Sequence, residues 1–160
     1  MYDRQVRGSF PDISEKGVYC LVFKNEDHIP DTGRFEGIRF RHGYHVYVGS
    51  ALGSGGLKRL KRHVLLSLMK DKRPRWHVDH LSLSSRFDLV CVVYAVVDEP
   101  IECKLSGKLN EALSGDIIRG FGSSDCKCPS HLFHSDGCPL YVIKDVFIRS
   151  GLGPNGICFE

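Results

Sequence analysis

Two tyrosines, a basic segment and one glutamate form a set that could act on a phosphodiester. Tyr19 and Tyr47 lie in two runs rich in β-branched and aromatic residues, Arg59, Arg62 and His63 follow at i, i+3, i+4 spacing, and Glu102 stands at the start of a later helical pattern. That spacing puts the two arginines and the histidine on one face of a helix, just past the glycine-rich turn Gly53 to Gly56. Cleaving a phosphodiester calls for cations where charge develops on phosphate, a carboxylate to hold a metal ion, and a group that takes a proton from water. The same residues have a plainer reading, with the tyrosines filling a strand face and the arginines solvated. Composition and spacing leave both readings open.

A second group is Cys126, Cys128, His131, His134 and Cys138, five nitrogen or sulfur ligands within thirteen residues. Tetrahedral zinc takes four such ligands. The Cys-x-Cys spacing is tighter than the usual zinc pair and no distant second pair follows, so a loop packed by reduced thiols is the competing reading. A redox role for Cys126 and Cys128 is a third. Cys20, Cys91 and Cys103 fall inside apolar segments, where buried free thiols are expected, and seven cysteines, an odd number, argue against a full disulfide framework.

These residues need elements to position them. Gly17 to Lys24 and Gly43 to Ser50 read as strands, the second by its alternation of Tyr44, Val46 and Val48 with His45, Tyr47 and Gly49. After Gly56 the period becomes helical, with Leu57, Leu60, Val64, Leu65 and Leu68 on one stripe. Arg75 to Leu83 predicts a shorter helix, Phe87 to Val97 a central strand, and Pro100 opens a helix over Ile101 to Leu113. From Gly115 onward the chain is loop-rich, with a strand expected at Leu140 to Ile148. The order predicts an α+β fold with a small, mainly antiparallel central sheet flanked by helices. One domain is expected over residues 16–149, between an N-terminal extension, 1–15, and a C-terminal tail, 150–160.

A chain of 160 residues with 42% hydrophobic and 26% charged residues is long enough for one core and too polar for a membrane span. No secretory signal is evident at the N-terminus, and a cytoplasmic location is expected. Net charge is only +3, but Lys58, Arg59, Lys61, Arg62, Lys70, Lys72, Arg73 and Arg75 oppose a single acid, Asp71, in eighteen residues. That clustering points to a polyanionic partner, with Lys58, Lys61, Arg62, Lys70, Lys72, Arg73 and Arg75 as candidate nucleic-acid contacts.

The ordered set GVY (Gly17 to Tyr19), YVGSA (Tyr47 to Ala51) and LKRLKRH (Leu57 to His63) resembles the signature of the GIY-YIG nuclease superfamily. It is most similar to a prokaryotic branch that also shares Trp76-His77-Val78-Asp79, Glu102-Cys103 and the run Gly120 to Leu132. The resemblance implies a metal-dependent DNA endonuclease that hydrolyses one strand by water attack. It assigns Tyr19 and Tyr47 to positioning or deprotonating water, Arg59 to steadying the transition state, and Glu102, ahead of Glu111, to a magnesium or manganese ion. His63 and His77 become candidates for protonating the leaving oxygen or gripping a phosphate. Ser123, Ser124 and Asp125 are candidates to close over the site. The connection between GVY and YVG is longer than the family's usual hairpin and is expected to add a strand pair or a substrate clamp. Family company further implies a DNA-repair setting and a repair glycosylase as partner. Two other functions stand beside this one: a non-catalytic nucleic-acid-binding module on the same fold, and a zinc-stabilised interaction protein.

Overall fold

The computed structural model describes residues 13–113, 116–123 and 126–159. Among the described residues, five strands and four helices follow one another in the order β1 (Gly17–Asn25), β2 (Gly43–Ala51), α1 (Lys58–Met69), α2 (Asp79–Leu83), β3 (Phe87–Val96), α3 (Glu102–Leu113), β4 (Leu132–Ser135), α4 (Leu140–Arg149) and β5 (Asn155–Cys158). The strands form one sheet in the order β4-β2-β1-β3-β5, and every pairing is antiparallel. The α+β architecture expected from the sequence is therefore the one observed.

Helices cover both faces, which is why β1 reads as a nearly continuous apolar run instead of an alternating one. Tyr19, Leu21 and Phe23 point to one face and pack with Leu57, Leu60 and Val64 of the α1 segment and Leu81 of α2. Val18, Cys20 and Val22 point to the other, against Leu105 and Leu109 of α3 and Ile143 and Phe147 of α4. An irregularity between Val22 and Phe23 adds a residue to β3, so that Val22 pairs with Cys91 and Phe23 with Leu89.

Four expectations are corrected. The segment expected as a strand at Leu140 to Ile148 is helix α4: its apolar residues bury Ile143, Val146 and Phe147 at helical spacing, and Pro139 at the N-cap suits a helix start. The C-terminal segment 150–160 carries β5, which extends the sheet by pairing Cys91↔Cys158 to Tyr94↔Asn155. Cys91 is accordingly joined to Cys158 by a disulfide and is not a free thiol. Helix α2 is shorter than Arg75 to Leu83, because the chain before it folds back onto the Asp79 side chain.

The buried stripe of α1 is also rotated from the expected one. Leu60, His63, Val64 and Ser67 face the core, whereas Leu65 and Leu68 are exposed. His63 thus takes a position that an apolar residue would ordinarily fill. The entrance to α1 depends on Gly56, whose φ is +54° and where a Cβ would collide with the carbonyls of Ser14 and Glu15. The connection between β1 and β2 does not form a strand pair; it makes one bridge, His28 with Phe40, and then wraps over the α1/α2 face. Phe40 is fully buried against His45 and Phe87, and Phe35 stacks on Phe121. No helix among the described residues is long and apolar enough to cross a membrane.

Candidate active site and metal cluster

The register of the sheet brings the beginning of β1 together with the ends of β2 and β3, since Gly17 opposes Ala51 on one side and Val96 on the other. At that end an open cleft of about 670 Å³ is lined by Tyr19, Tyr47, Arg59, His63, His77 and Glu102, with Arg34, Arg75, Trp76 and His80. Tyr19 and Tyr47 project from the same sheet face, Arg59 and His63 from α1, and Glu102 from the first turn of α3. The six residues that the resemblance assigns to catalysis or to a magnesium or manganese ion all line this cleft.

Tyr19 is buried, and its ring crosses β2 directly over Gly49, its cross-strand partner; any Cβ at Gly49 would run into that ring. The glycine is there so that the phenol can pass. The Tyr19 hydroxyl meets His63 Nε2 at 3.0 Å. On the far side of the imidazole, Nδ1 has no hydrogen-bond partner and faces Asp79 Oδ1 at 3.8 Å. We assign the proton of His63 to Nδ1, which leaves Nε2 to accept from Tyr19. Burial holds the His63 pKa down at about 3, helped by Arg62 and Arg59 and opposed by Asp79. Burial pushes the Tyr19 and Tyr47 hydroxyls up, with Arg59 pulling the other way on both. At neutral pH the site therefore holds two phenols and a neutral imidazole. His63, whose side chain is 1% exposed, lies behind the Tyr19 hydroxyl at the base of the cleft.

Arg59 donates from Nη1 to the Ser50 carbonyl at 2.7 Å, which ties α1 to the end of β2. Its guanidinium lies 4.8 Å from the Trp76 ring, and that of Arg62 lies 4.3 Å from the same ring. Arg62 forks onto Asp79 with bonds of 3.1 and 2.8 Å. Asp79 also accepts from the backbone N–H of Arg75 at 2.8 Å and of Trp76 at 3.1 Å. Burial works against its charge, but these four donors outweigh it and its pKa falls below the ordinary value. Asp79 therefore organises the whole cationic wall. Sequence reasoning gave it no role; the signal available was an acid placed between Val78 and Leu81 in an otherwise basic stretch.

His77 accepts the Gly122 N–H on Nδ1 at 3.1 Å, and its other nitrogen faces Arg34. Burial lowers its pKa, with Arg34 and His80 adding to the effect. Arg34 comes from the long β1–β2 connection, which thus reaches the cleft. Ser124 and Asp125, expected to close over it, lie outside the described residues.

Among the basic candidates, Lys58, Lys61, Lys72, Arg73 and Arg75 are exposed, and Lys72, Arg73 and Arg75 border a second hollow with Arg62. Lys70 is different. It caps α1 in a left-handed conformation, and its ammonium donates to the carbonyls of Ser82 and Ser84 at 2.7 and 2.8 Å. It ties the end of α1 to the segment that follows α2.

The cysteine and histidine residues sort differently from their order in the sequence. Cys103, Cys126, Cys128 and His131 bring their ligand atoms within 4.8 Å of one another, a group that could hold a metal ion. Cys103 is exposed on the first turn of α3, next to Glu102, and is not the buried thiol expected. His134 and Cys138 lie apart from the group. His134 sits three residues past His131, which turns it to the opposite sheet face, where it contacts the His42 carbonyl and the His45 ring. Cys138 is exposed. His131 joins the two sites: Nε2 faces Cys126 Sγ at 3.2 Å and Nδ1 lies 2.7 Å from Glu102 Oε1.

The profile of one protein family, described as Domain of unknown function DUF123, matches residues 18–151. No curated protein and no solved structure matches the chain.

Proposed function

The chain belongs to the DUF123 family, and on that premise we propose that it is a metal-dependent DNA endonuclease of the GIY-YIG type, hydrolysing one strand by attack of water. The observation that carries this reading is the meeting of Tyr19, Tyr47, Arg59 and Glu102, from four separate segments, in one cleft. Glu102 is the one carboxylate among the described residues lining that cleft, and it is partly exposed. A lone carboxylate suits Mg²⁺ or Mn²⁺, ions that keep most of their water. Glu102 would hold that ion, which when bound supplies positive charge beside the phosphate.

The chain's own groups do the rest. Tyr19 stays protonated at neutral pH and orients the attacking water on its phenolic oxygen, its own proton directed to His63 Nε2. Burial keeps His63 neutral, so the proton of the water leaves to solvent through the open cleft and the departing 3′ oxygen takes one from solvent. Arg59, held on the Ser50 carbonyl and against Trp76, offers its remaining donors to the phosphate oxygens as charge builds. Tyr47 and His77 position the substrate. Lys58, Lys61, Lys72, Arg73 and Arg75 give the backbone of DNA a basic track beside the cleft. A DNA-repair setting with a glycosylase partner is part of the same proposal and rests on the resemblance alone.

The test is incubation of labelled duplex, single-stranded, flap and branched DNA with Mg²⁺ or Mn²⁺, with Tyr19→Phe and Glu102→Gln as controls. Cleavage by the wild type, lost with a chelator and in both variants, supports the reading. Binding without cleavage of any substrate would favour a nucleic-acid-binding module instead.

A further inference from the structure

We propose that Cys103, Cys126, Cys128 and His131 form a zinc site that fastens the loop before β4 to the first turn of α3 and orients Glu102 through His131. The site is assembled from three places in the chain, and its four ligand atoms already lie within 4.8 Å of one another. A tetrahedron with arms of about 2.3 Å has edges of about 3.8 Å, so the four donors need shift by only about 1 Å to close on the ion. Three thiols and one imidazole select zinc over the hard cations that a carboxylate and water would favour.

The histidine is prepared for this role. His131 is 1% exposed, with Nε2 turned toward Cys126 Sγ at 3.2 Å. Its Nδ1 lies 2.7 Å from Glu102 Oε1, close enough for the Nδ1–H to donate to the carboxylate and leave the Nε2 lone pair for the metal. A carboxylate behind a metal-bound histidine is a recurrent arrangement that fixes the ring and strengthens the ligand. Here the carboxylate is also the one in the cleft, so a zinc ion would hold one oxygen of Glu102 in place and leave the other toward the cleft. The zinc site does not depend on the nuclease reading.

A disulfide between two of the three thiols is the competing state. It would leave one thiol and His131 Nε2 without the partner the geometry gives them.

The experiment is metal analysis of the full chain purified under reducing conditions without chelator. We expect about one zinc per chain, a content retained in Cys138→Ser and His134→Ala and reduced at least about fivefold in Cys103→Ser and Cys128→Ser. Because the cysteine variants could fail to fold, the wild-type protein is also loaded with Co²⁺, whose visible spectrum is expected to show tetrahedral coordination with thiolate charge transfer. Glu102→Gln is expected to weaken zinc binding by about 10- to 100-fold in competition with a chelating dye. Reduced protein that carries no zinc and takes up no Co²⁺ overturns the site. Retention of zinc in Cys103→Ser with loss in Cys138→Ser overturns the ligand set, and unchanged affinity in Glu102→Gln overturns the link to the cleft. Loss of DNA cleavage with zinc intact would count against the nuclease reading alone.

Discussion

Asp79 is where the cleft wall is most exposed to a single change. Its carboxylate is fully buried and takes four donors: two from Arg62 and the N–H groups of Arg75 and Trp76. Replacing it by alanine removes a charge from a buried pair and leaves the backbone donors without acceptors. Losing one partner of a buried pair costs about 3 to 5 kcal/mol. Arg62 retains 26% side-chain exposure and can turn partly to water, so the lower figure of about 3 kcal/mol applies. For a chain of this size that lowers Tm by about 6 to 12 °C. Asp79→Asn keeps an acceptor of the same shape and loses only the charge, for which about half the effect is expected. Urea and thermal unfolding followed by circular dichroism read both values. Trp76 is the only tryptophan, and it lies against Arg59 and Arg62, so its fluorescence reports the wall directly. A red shift is expected in both variants, larger in Asp79→Ala. Loss of under about 1 kcal/mol in Asp79→Ala, with Trp76 emission unchanged, would refute the argument that this carboxylate organises the wall.

Other consequences follow from burial and close approach. His45 and His63 both have pKa values held down at about 3, chiefly by burial, the first with help from His134. The unfolded chain binds protons there that the fold does not, so stability is full above about pH 6.5 and falls as the pH drops below it. At pH 5 each histidine is expected to withdraw about 2 kcal/mol, visible as a drop in the urea midpoint between pH 7.5 and pH 5; a flat profile would contradict it. Gly49→Ala drives a methyl group into the Tyr19 ring. It is expected to cost about 1 to 3 kcal/mol and to reduce any activity that depends on Tyr19, while a variant of unchanged stability would show that the ring is not held there. Tyr19→Phe leaves His63 Nε2 buried without its partner, with a loss of about 1 to 3 kcal/mol expected in the same unfolding assay. No change would mean that Tyr19 and His63 are not coupled.

Strands β1, β2 and β3 and helices α1 and α3 were legible in the sequence because their periodicity is set by packing on two faces of one sheet, whereas the four-residue edge strands β4 and β5 are too short to show a period. Leu140 to Ile148 misled because a run such as Val142, Ile143, Val146, Phe147 and Ile148 satisfies β-propensity while its burial follows a helical period. The catalytic candidates were legible because each stands at a recognisable junction: a strand start, a strand end, a helix face, a helix first turn. What joins them was not. Asp79 works through contacts to residues four and seventeen positions away, and Cys103 enters the metal cluster only once α3 is set beside the loop before β4. Local spacing instead suggested His134, which strand geometry turns to the other sheet face, and Cys138, which lies exposed beyond the end of β4. Lys70 shows the same limit from the other side: a lysine in a basic run whose ammonium is consumed by three carbonyls.

The most direct test of the account is single-turnover cleavage of DNA in Mg²⁺ by the wild type and Arg59→Ala, with DNA affinity measured alongside. A fall of about 100- to 1000-fold in the cleavage rate with affinity little changed is the result expected of a guanidinium aimed at the transition state. Equal rates in the two proteins, or no metal-dependent cleavage by the wild type of any DNA structure, would contradict it.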